Sequence, residues 1–432
     1  MPLSRYLRVV PLPELPGQVL LFSTRTTALI RLPEATLAGL ATGALPESGF
    51  EPLARMGLLV PDPEAERNGV LGMQDAIDRL SPGVRAAVIL GMACNFACCY
   101  CYEGSLKGGQ AMSDQVASQA VSFLKERFRP GKKRLILDFY GGEPLLYPGR
   151  IESMARALRP FVADQGGSFL FTLVTNGSLL TRPAVERLLP LGLASVKVTV
   201  DGPPENHNRT RPFRDGRGSF EAILSNLREC CDLVPIHLAG NFTADTYRSF
   251  PALLDLLGEN GLSSQRLASV KFDAVMAVRD AFAPPEFSGG CAATSEPWLV
   301  EASLFLREEI LKRGYAHPKL APASCMVDLA DSLTIDWDGS LYKCVTLIGH
   351  PDCRAGDVWG GEAGAEAIYH PRHWRGNESC PDCLYLPLCL GGCRYSQYQR
   401  GESMAGVDCQ KAYFDAALPE MLRQDLAYRV SS

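Results

Sequence analysis

Cys94-Asn95-Phe96-Ala97-Cys98-Cys99-Tyr100-Cys101 follows directly on an apolar run, residues 86–92, of the kind that forms a buried strand. Cys94, Cys98 and Cys101 stand in a CxxxCxxC spacing, and Cys99 lies in the run but off the spacing. Three thiolates on one loop can hold three irons of a [4Fe–4S] cube and leave the fourth iron without a protein ligand. An open metal position suits catalysis, whereas a structural site is closed. The alternative is a structural zinc or cluster completed by a distant cysteine.

Downstream, the chain alternates strand-like and helix-like stretches. Apolar strands are expected at 135–140, 169–175, 195–200, 235–241 and 270–278. Helices fall between them, the first capped by Ser113 with Ala117, Val121, Leu124 and Phe128 on its apolar face. Six β-then-α steps imply parallel strands joined by right-handed crossovers. Spacing alone leaves a doubly wound sheet and a partial barrel both open.

The chain has 432 residues, 46% hydrophobic and 21% charged, an ordinary globular composition. Its 43 Lys+Arg and 48 Asp+Glu give a net charge of −5, so no broad basic field invites nucleic acid or an anionic membrane surface. The start, Met1-Pro2-Leu3-Ser4-Arg5, lacks a charged region followed by an apolar core, and no stretch has the length of a membrane helix. A cytoplasmic location is therefore expected. There are 15 cysteines against 6 histidines. In that setting they point to metal rather than disulfides, with soft ligands favouring zinc or iron–sulfur.

CxxxCxxC with an aromatic, Tyr100, before its last cysteine, at the end of a first βα strand, resembles the radical SAM superfamily. Gly141-Gly142-Glu143, ending the second strand, looks like that family's GGE motif, which meets the methionine amino group of S-adenosylmethionine (SAM). Glycines permit close backbone approach and a carboxylate can accept from an ammonium. Thr175-Asn176-Gly177 ends the third strand, where the family has a polar ribose contact. Thr199 precedes Asp201-Gly202-Pro203, followed by His207 and Arg211, a stretch resembling DGPxxxHxxxR, in which Ser/Thr and Arg contact the cofactor. Tyr100, Gly141, Gly142, Glu143, Asn176, Thr199 and Arg211 are thus the implied cofactor contacts. The resemblance implies an α/β chain with a partial (β/α)6 TIM-type barrel over residues 80–290.

A second constellation follows. Cys325 is followed by 13 residues, Gly339, four residues and Cys344, then by Cys380-x2-Cys383-x5-Cys389-x3-Cys393 and, fifteen residues later, Cys409. The order C…Gx4C…Cx2Cx5Cx3C…C resembles the SPASM domain, here over 300–432. It implies two auxiliary [4Fe–4S] clusters, three in all with the SAM-binding one. Cys380, Cys383, Cys389 and Cys409 would hold cluster II, and Cys325, Cys344 and Cys393 cluster I. The competing reading is a pair of zinc-ribbon knuckles. Cluster I then counts three ligands, with Cys353, Cys291, Asp331 or a substrate thiolate available as a fourth. Sulfatase-maturing members carry an Asp base directly after the Gx4C cysteine, and here that residue is Val345. No catalytic side chain is assigned. Cys230 and Cys231 read as core thiols on a helix.

Residues 1–68 read as a strand pair followed by helices, with 62–69 a polar linker. They resemble the winged-helix, PqqD-like element that binds a precursor's leader peptide as an added strand. A plain packing extension of the barrel is the bland alternative. Taken together, the chain resembles radical SAM/SPASM maturases of ribosomally made peptides, of geopeptide, sactipeptide or ranthipeptide type. That resemblance implies a 5′-deoxyadenosyl radical taking a hydrogen atom from the peptide, a flavodoxin or ferredoxin as electron donor, and a Cys-sulfur-to-carbon thioether as product. Carbon–carbon crosslinking, sulfatase-type formylglycine maturation and a non-enzymatic zinc-stapled scaffold are the alternatives.

Overall fold

The computed structural model describes residues 1–42, 50–276, 296–323 and 325–429. Cys291, one candidate fourth ligand, lies outside the described residues. The chain forms two compact units, Met1–Leu80 with Lys319–Asp328 and Pro371–Ser432, and Ser81–Pro318 with Leu329–His370.

The larger unit is built on one nine-stranded sheet. Six strands run in chain order: β4 (Gly83–Ile89), β5 (Arg134–Tyr140), β6 (Ser168–Thr175), β7 (Leu193–Thr199), β8 (Ile236–Phe242) and β9 (Ser269–Ala274). Every neighbouring pair is parallel. A doubly wound sheet reverses its strand order at a switch point, whereas sequential order is that of a barrel. The partial (β/α)6 barrel is therefore what the chain builds.

Its strands are apolar because both faces are covered. Val84, Ala86 and Val88 on one side of β4, and Ile89 on the other, are all fully buried. The helix Asp114–Arg127 starts where expected, Ser113 accepting the N–H of Val116, and it buries Ala117, Ala120, Phe123 and Leu124. Cys230 and Cys231 sit in the same core, Cys230 Sγ lying 3.2 Å from the carbonyl oxygen of Leu180.

The segment after Cys325 contributes three short strands. These are β10 (Ser332–Ile335), β11 (Ser340–Tyr342) and β12 (Gly356–Asp357), and β10 adds in parallel to β4. Four residues are too few to show a period, but Leu333 and Ile335 are fully buried and the ladder on β4 supplies their partners.

The smaller unit begins with a three-stranded antiparallel sheet rather than a strand pair: β1 (Leu7–Pro11), β2 (Gln18–Ser23) and β3 (Leu29–Pro33). The expected linker at 62–69 is instead the start of an 18-residue helix, Pro63–Leu80. Pro63 suits a first helical turn, and Asp62 caps it by accepting the N–H of Glu64 at 2.8 Å. Glu66 is then drawn inward by Ser4 Oγ, the backbone N–H of Arg5 and Arg25 Nε. Polar composition misled because the polar residues serve the cap and a half-buried ion pair. Val10, Leu12, Leu20 and Phe22 pack with Tyr385, Leu388, Phe414, Leu418 and Leu422, so the N-terminal sheet shares a core with the cysteine-rich C-terminal segment. Among the described residues, no helix is long and apolar enough to cross a membrane.

Candidate active site

The cysteine loop leaves β4 and is laced at several points to the rim formed by the C-terminal strand ends. The N–H groups of Ala97 and Cys99 donate to the carbonyls of Pro212 and Thr210, and that of Arg214 donates to Asn95. Phe96, fully buried, meets Phe213 edge to face at 5.0 Å. Cys94 is buried, and Cys98 and Cys101 are half-buried. Burial pushes the Cys101 thiol up to about 12 and raises Cys94, while Lys107 pulls both back. A coordinated metal reverses that balance, since a ligating thiol is deprotonated outright.

Among the described residues, no three Cys, His, Asp or Glu side chains are drawn around one point to hold a single metal ion. A cube asks for something else, because each thiolate binds its own iron. Three soft donors on one loop, with Lys107 acting on all of them, fit that requirement.

The glycine turn after β5 is pressed onto this loop. Gly142 has φ +43°, and a Cβ there would stand 2.2 Å from the Ala93 carbonyl oxygen, so only glycine fits. The N–H of Glu143 donates to the same carbonyl at 2.9 Å. Glu143 itself is fully buried and binds the chain rather than open space: it accepts from Thr175 Oγ1 and from the N–H groups of Leu145 and Asn176. Asn176 donates to Asn95 Oδ1 at 2.8 Å and approaches Cys94 Sγ at 4.0 Å. Thr199 ends β7.

Arg211 reaches the site through a buried chain. His207 Nδ1 accepts the N–H of Asp201, which leaves Nε2–H to face Ser219 Oγ, and that hydroxyl donates to the Arg211 carbonyl at 2.6 Å. Burial, followed by Arg211, holds His207 well below its usual range, consistent with this neutral tautomer. Burial opposes the Arg211 charge, but Cys98, Tyr100 and Asp201 around it keep the guanidinium protonated.

Sequence reasoning missed three participants. Glu103, two residues past Cys101, accepts the Gly142 N–H at 2.9 Å. Lys107 contacts the Phe96 carbonyl. Asn241, at the end of β8, donates to Tyr100 Oη at 3.0 Å. A polar residue closing an otherwise apolar strand was the available signal for Asn241.

In the smaller unit, Cys380, Cys383, Cys389 and Cys409 lie close enough to act on one another. Burial and then Cys389, Cys383 and Cys409 push the Cys380 thiol up to about 12. Cys325 is raised by burial and feels Cys393 and the Arg394–Asp328 ion pair, which is itself buried. Cys344 belongs to the larger unit and lies 3.0 Å from Thr346 Oγ1. Asp331 faces Arg127, Arg129 and Lys132, and Cys353 is fully buried.

Residues 88–257 match the radical SAM superfamily. They form a radical SAM domain.

Among curated proteins, it is 28% identical over 177 residues to the Fe-coproporphyrin III synthase of Methanosarcina barkeri, 38% of this chain and 39% of that one. It is 26% identical over 167 residues to the radical SAM cyclopropyl synthase TigE of Paramaledivibacter caminithermalis, 35% of this chain and 34% of that one. These matches span about a third to two fifths of the relatives' lengths. The serine-type anaerobic sulfatase-maturating enzyme of Bacteroides thetaiotaomicron is 28% identical over 376 residues, 77% of this chain and 88% of that one. Among solved structures, anSMEcpe with bound AdoMet and Kp18Cys peptide superposes with a TM-score of 0.60 at 18% identity, over 79% of this chain and 99% of that one. Streptococcus suis SuiB bound to its precursor peptide SuiA gives 0.53 at 14% identity, over 94% of this chain and 98% of that one. At these identities the likeness is one of fold.

Proposed function

We propose that this enzyme modifies a ribosomally made precursor peptide, with a Cys-sulfur-to-carbon thioether as product. The observation that carries the peptide reading lies in the smaller unit. β3 is an edge strand, and beside it runs a groove of about 620 Å³ lined by Leu29, Ile30, Arg31, Leu320, Leu422 and Leu426. An unpaired edge next to a groove that sets Lys319 and Asp425 beside its leucines takes an extended peptide by main-chain pairing and side-chain insertion. A leader docked there is the reading we give to residues 1–68. The peptides carried by anSMEcpe and SuiB support a peptide substrate.

The bound cluster and SAM supply a 5′-deoxyadenosyl radical. Cys94, Cys98 and Cys101 would hold the cluster, while Tyr100, Gly141, Gly142, Glu143, Asn176, Thr199 and Arg211 would shape the SAM pocket. The buried rim excludes water from the radical. Closing a thioether removes a hydrogen atom from carbon, a proton from the thiol and one electron. Auxiliary [4Fe–4S] clusters would supply an acceptor for that electron, and Cys380, Cys383, Cys389 and Cys409 would hold cluster II. The assignment of Cys325, Cys344 and Cys393 to cluster I rests on the SPASM resemblance. A flavodoxin or ferredoxin in the cytoplasm would reduce the SAM cluster.

Anaerobic co-expression with a cysteine-bearing precursor tests the reading. We expect a product lacking the hydrogens of one C–H and one S–H per crosslink, with the bridged cysteines no longer alkylated. An unmodified peptide, or one whose cysteines all still alkylate, rejects the thioether. The sulfatase-maturating relative favours formylglycine formation as the second reading, and Val345 in place of a base opposes it.

A further inference from the structure

The parallel strands of the larger unit present two unlike faces. On the helix-covered face Leu137, Phe139, Phe171, Leu173, Val196 and Val198 are fully buried. The residues alternating with them point the other way, into the barrel. This inner face is covered at Ala87 and Ile89 of β4 and opens across β5 to β9. Neighbouring strands keep it in register: Asp138 stands opposite Thr172, Lys197 opposite His237, and His237 opposite Ser269. From β4 to β9 it carries Arg85, Arg134, Lys197 and Lys271 against Asp138 and Asp273. That is a cationic excess in a chain whose net charge is −5.

Two of these cations bring their own counter-charge. Arg85 meets both oxygens of Asp138, Nη2 to Oδ1 at 2.9 Å, and Thr172 Oγ1 donates to the same carboxylate at 2.7 Å. Lys271 lies 2.6 Å from Asp273. Arg134 is the first residue of β5, at the end far from the rim. Lys197 is different. It is exposed, and among the described residues it has no ion-pair or hydrogen-bond partner. Burial and then Lys197 hold the neighbouring His237 below its usual range, and His237 Nδ1 lies 2.8 Å from Ser269 Oγ.

An exposed ammonium is well solvated in water. A peptide filling the barrel removes that water, and an uncompensated charge is then costly. The missing counter-charge has to arrive with the peptide. Thr199, the next residue of β7 on this face, stands about 7 Å along the strand, where β7 ends at the rim.

We propose that Lys197 is a specificity-determining contact, pairing with the carboxylate of an Asp or Glu in the stretch of peptide that enters the barrel. This rests on the peptide reading given above and narrows it to substrates with an acidic residue in that stretch. Neutral and basic stretches are disfavoured because they leave Lys197 desolvated and unpaired.

The test uses the full chain, reconstituted with iron and sulfide without oxygen and supplied with SAM. The probe is a pool of capped hexapeptides with one Cys, every other position drawn from Gly, Ser, Asn, Asp and Lys. The peptides retained in equilibrium dialysis are counted by mass spectrometry. We expect the parent to enrich Asp over Asn by about 3- to 5-fold. Lys197→Arg should keep that preference, and Lys197→Gln should lose it with iron content and thermal midpoint as in the parent. A parent that retains peptides without preferring Asp overturns the assignment and leaves the peptide reading standing. A preference that survives Lys197→Gln overturns it too, as does loss of iron in that variant, which makes the residue a brace for the fold. A parent that retains no peptide at all overturns the peptide reading itself, and the assignment with it.

Discussion

The phenol oxygen of Tyr100 lies 2.7 Å from Nη1 of Arg211. The same oxygen meets the Asp201 carboxylate and accepts from Asn241 Nδ2, so one hydroxyl joins the cysteine loop to the ends of β7 and β8. Asp201 in turn accepts the N–H of Asn241 at 2.7 Å. The aromatic before the last cysteine is thus a polar anchor as well as a ring, and it sets a buried anion and a buried cation on either side of itself.

That arrangement predicts unequal effects. Tyr100→Phe removes the shared hydroxyl and is expected to lower stability by about 1–3 kcal/mol. Asp201→Ala leaves Arg211 as an uncompensated buried charge and is expected to cost about 3–5 kcal/mol. Urea unfolding of the two variants checks the order; a Tyr100→Phe loss larger than that of Asp201→Ala would contradict it.

Gly142→Ala is expected to disrupt cluster assembly. Its φ of +43° and the 2.2 Å approach to Ala93 oxygen leave no room for a methyl group, and the atom that would have to move is backbone of the cysteine loop. Gly109→Ala, with nothing within 4 Å, serves as the control. Iron per chain after reconstitution should fall in the first variant and hold in the second.

The helix Pro63–Leu80 contains Gly69 and Gly72, neither with an atom within 4 Å of a built Cβ. Replacing each by Ala should stabilise the chain by about 1 kcal/mol if the region is helical. Thermal unfolding with either variant below the parent would argue for a linker after all.

Asp336 governs a pH dependence. Burial pushes its carboxyl up to about 7, opposed by the N–H of Trp337 and reinforced by Asp338 and Glu103. In the unfolded chain an aspartate titrates near about 3.9, so between roughly 4 and 7 the folded state holds a proton the unfolded state has lost. Its contribution to stability is therefore present at low pH and lost as pH rises through 7. Asp336→Asn should flatten that fall. Denaturation midpoints at pH 5 and pH 8 in both chains decide it, and parallel profiles would refute the assignment.

Much of this architecture was legible along the chain because it is local. A strand ending in CxxxCxxC, the Ser113 cap and the helix that carries Ala117 and Leu124 depend on neighbours within a few residues. The parallel strands announce themselves as apolar runs because burial on both faces demands it. Spacing could not say whether the six steps wind twice or close; strand order shows it, and order is a property of pairing between distant segments. The strands β10 to β12 were invisible for the same reason, since their stability comes from β4 and not from their own few residues.

Local pattern along the chain was enough to single out the thiol-bearing loop, the glycine turn and the polar residues closing the strands as the candidate site. Only the tertiary structure decided how the polar atoms are paired. It is three-dimensional pairing that ties Glu143 to Thr175 and Asn176 and makes Tyr100 a hub. A side chain's free lone pairs are counted against donors that arrive from elsewhere in the fold, and no one-dimensional pattern records them.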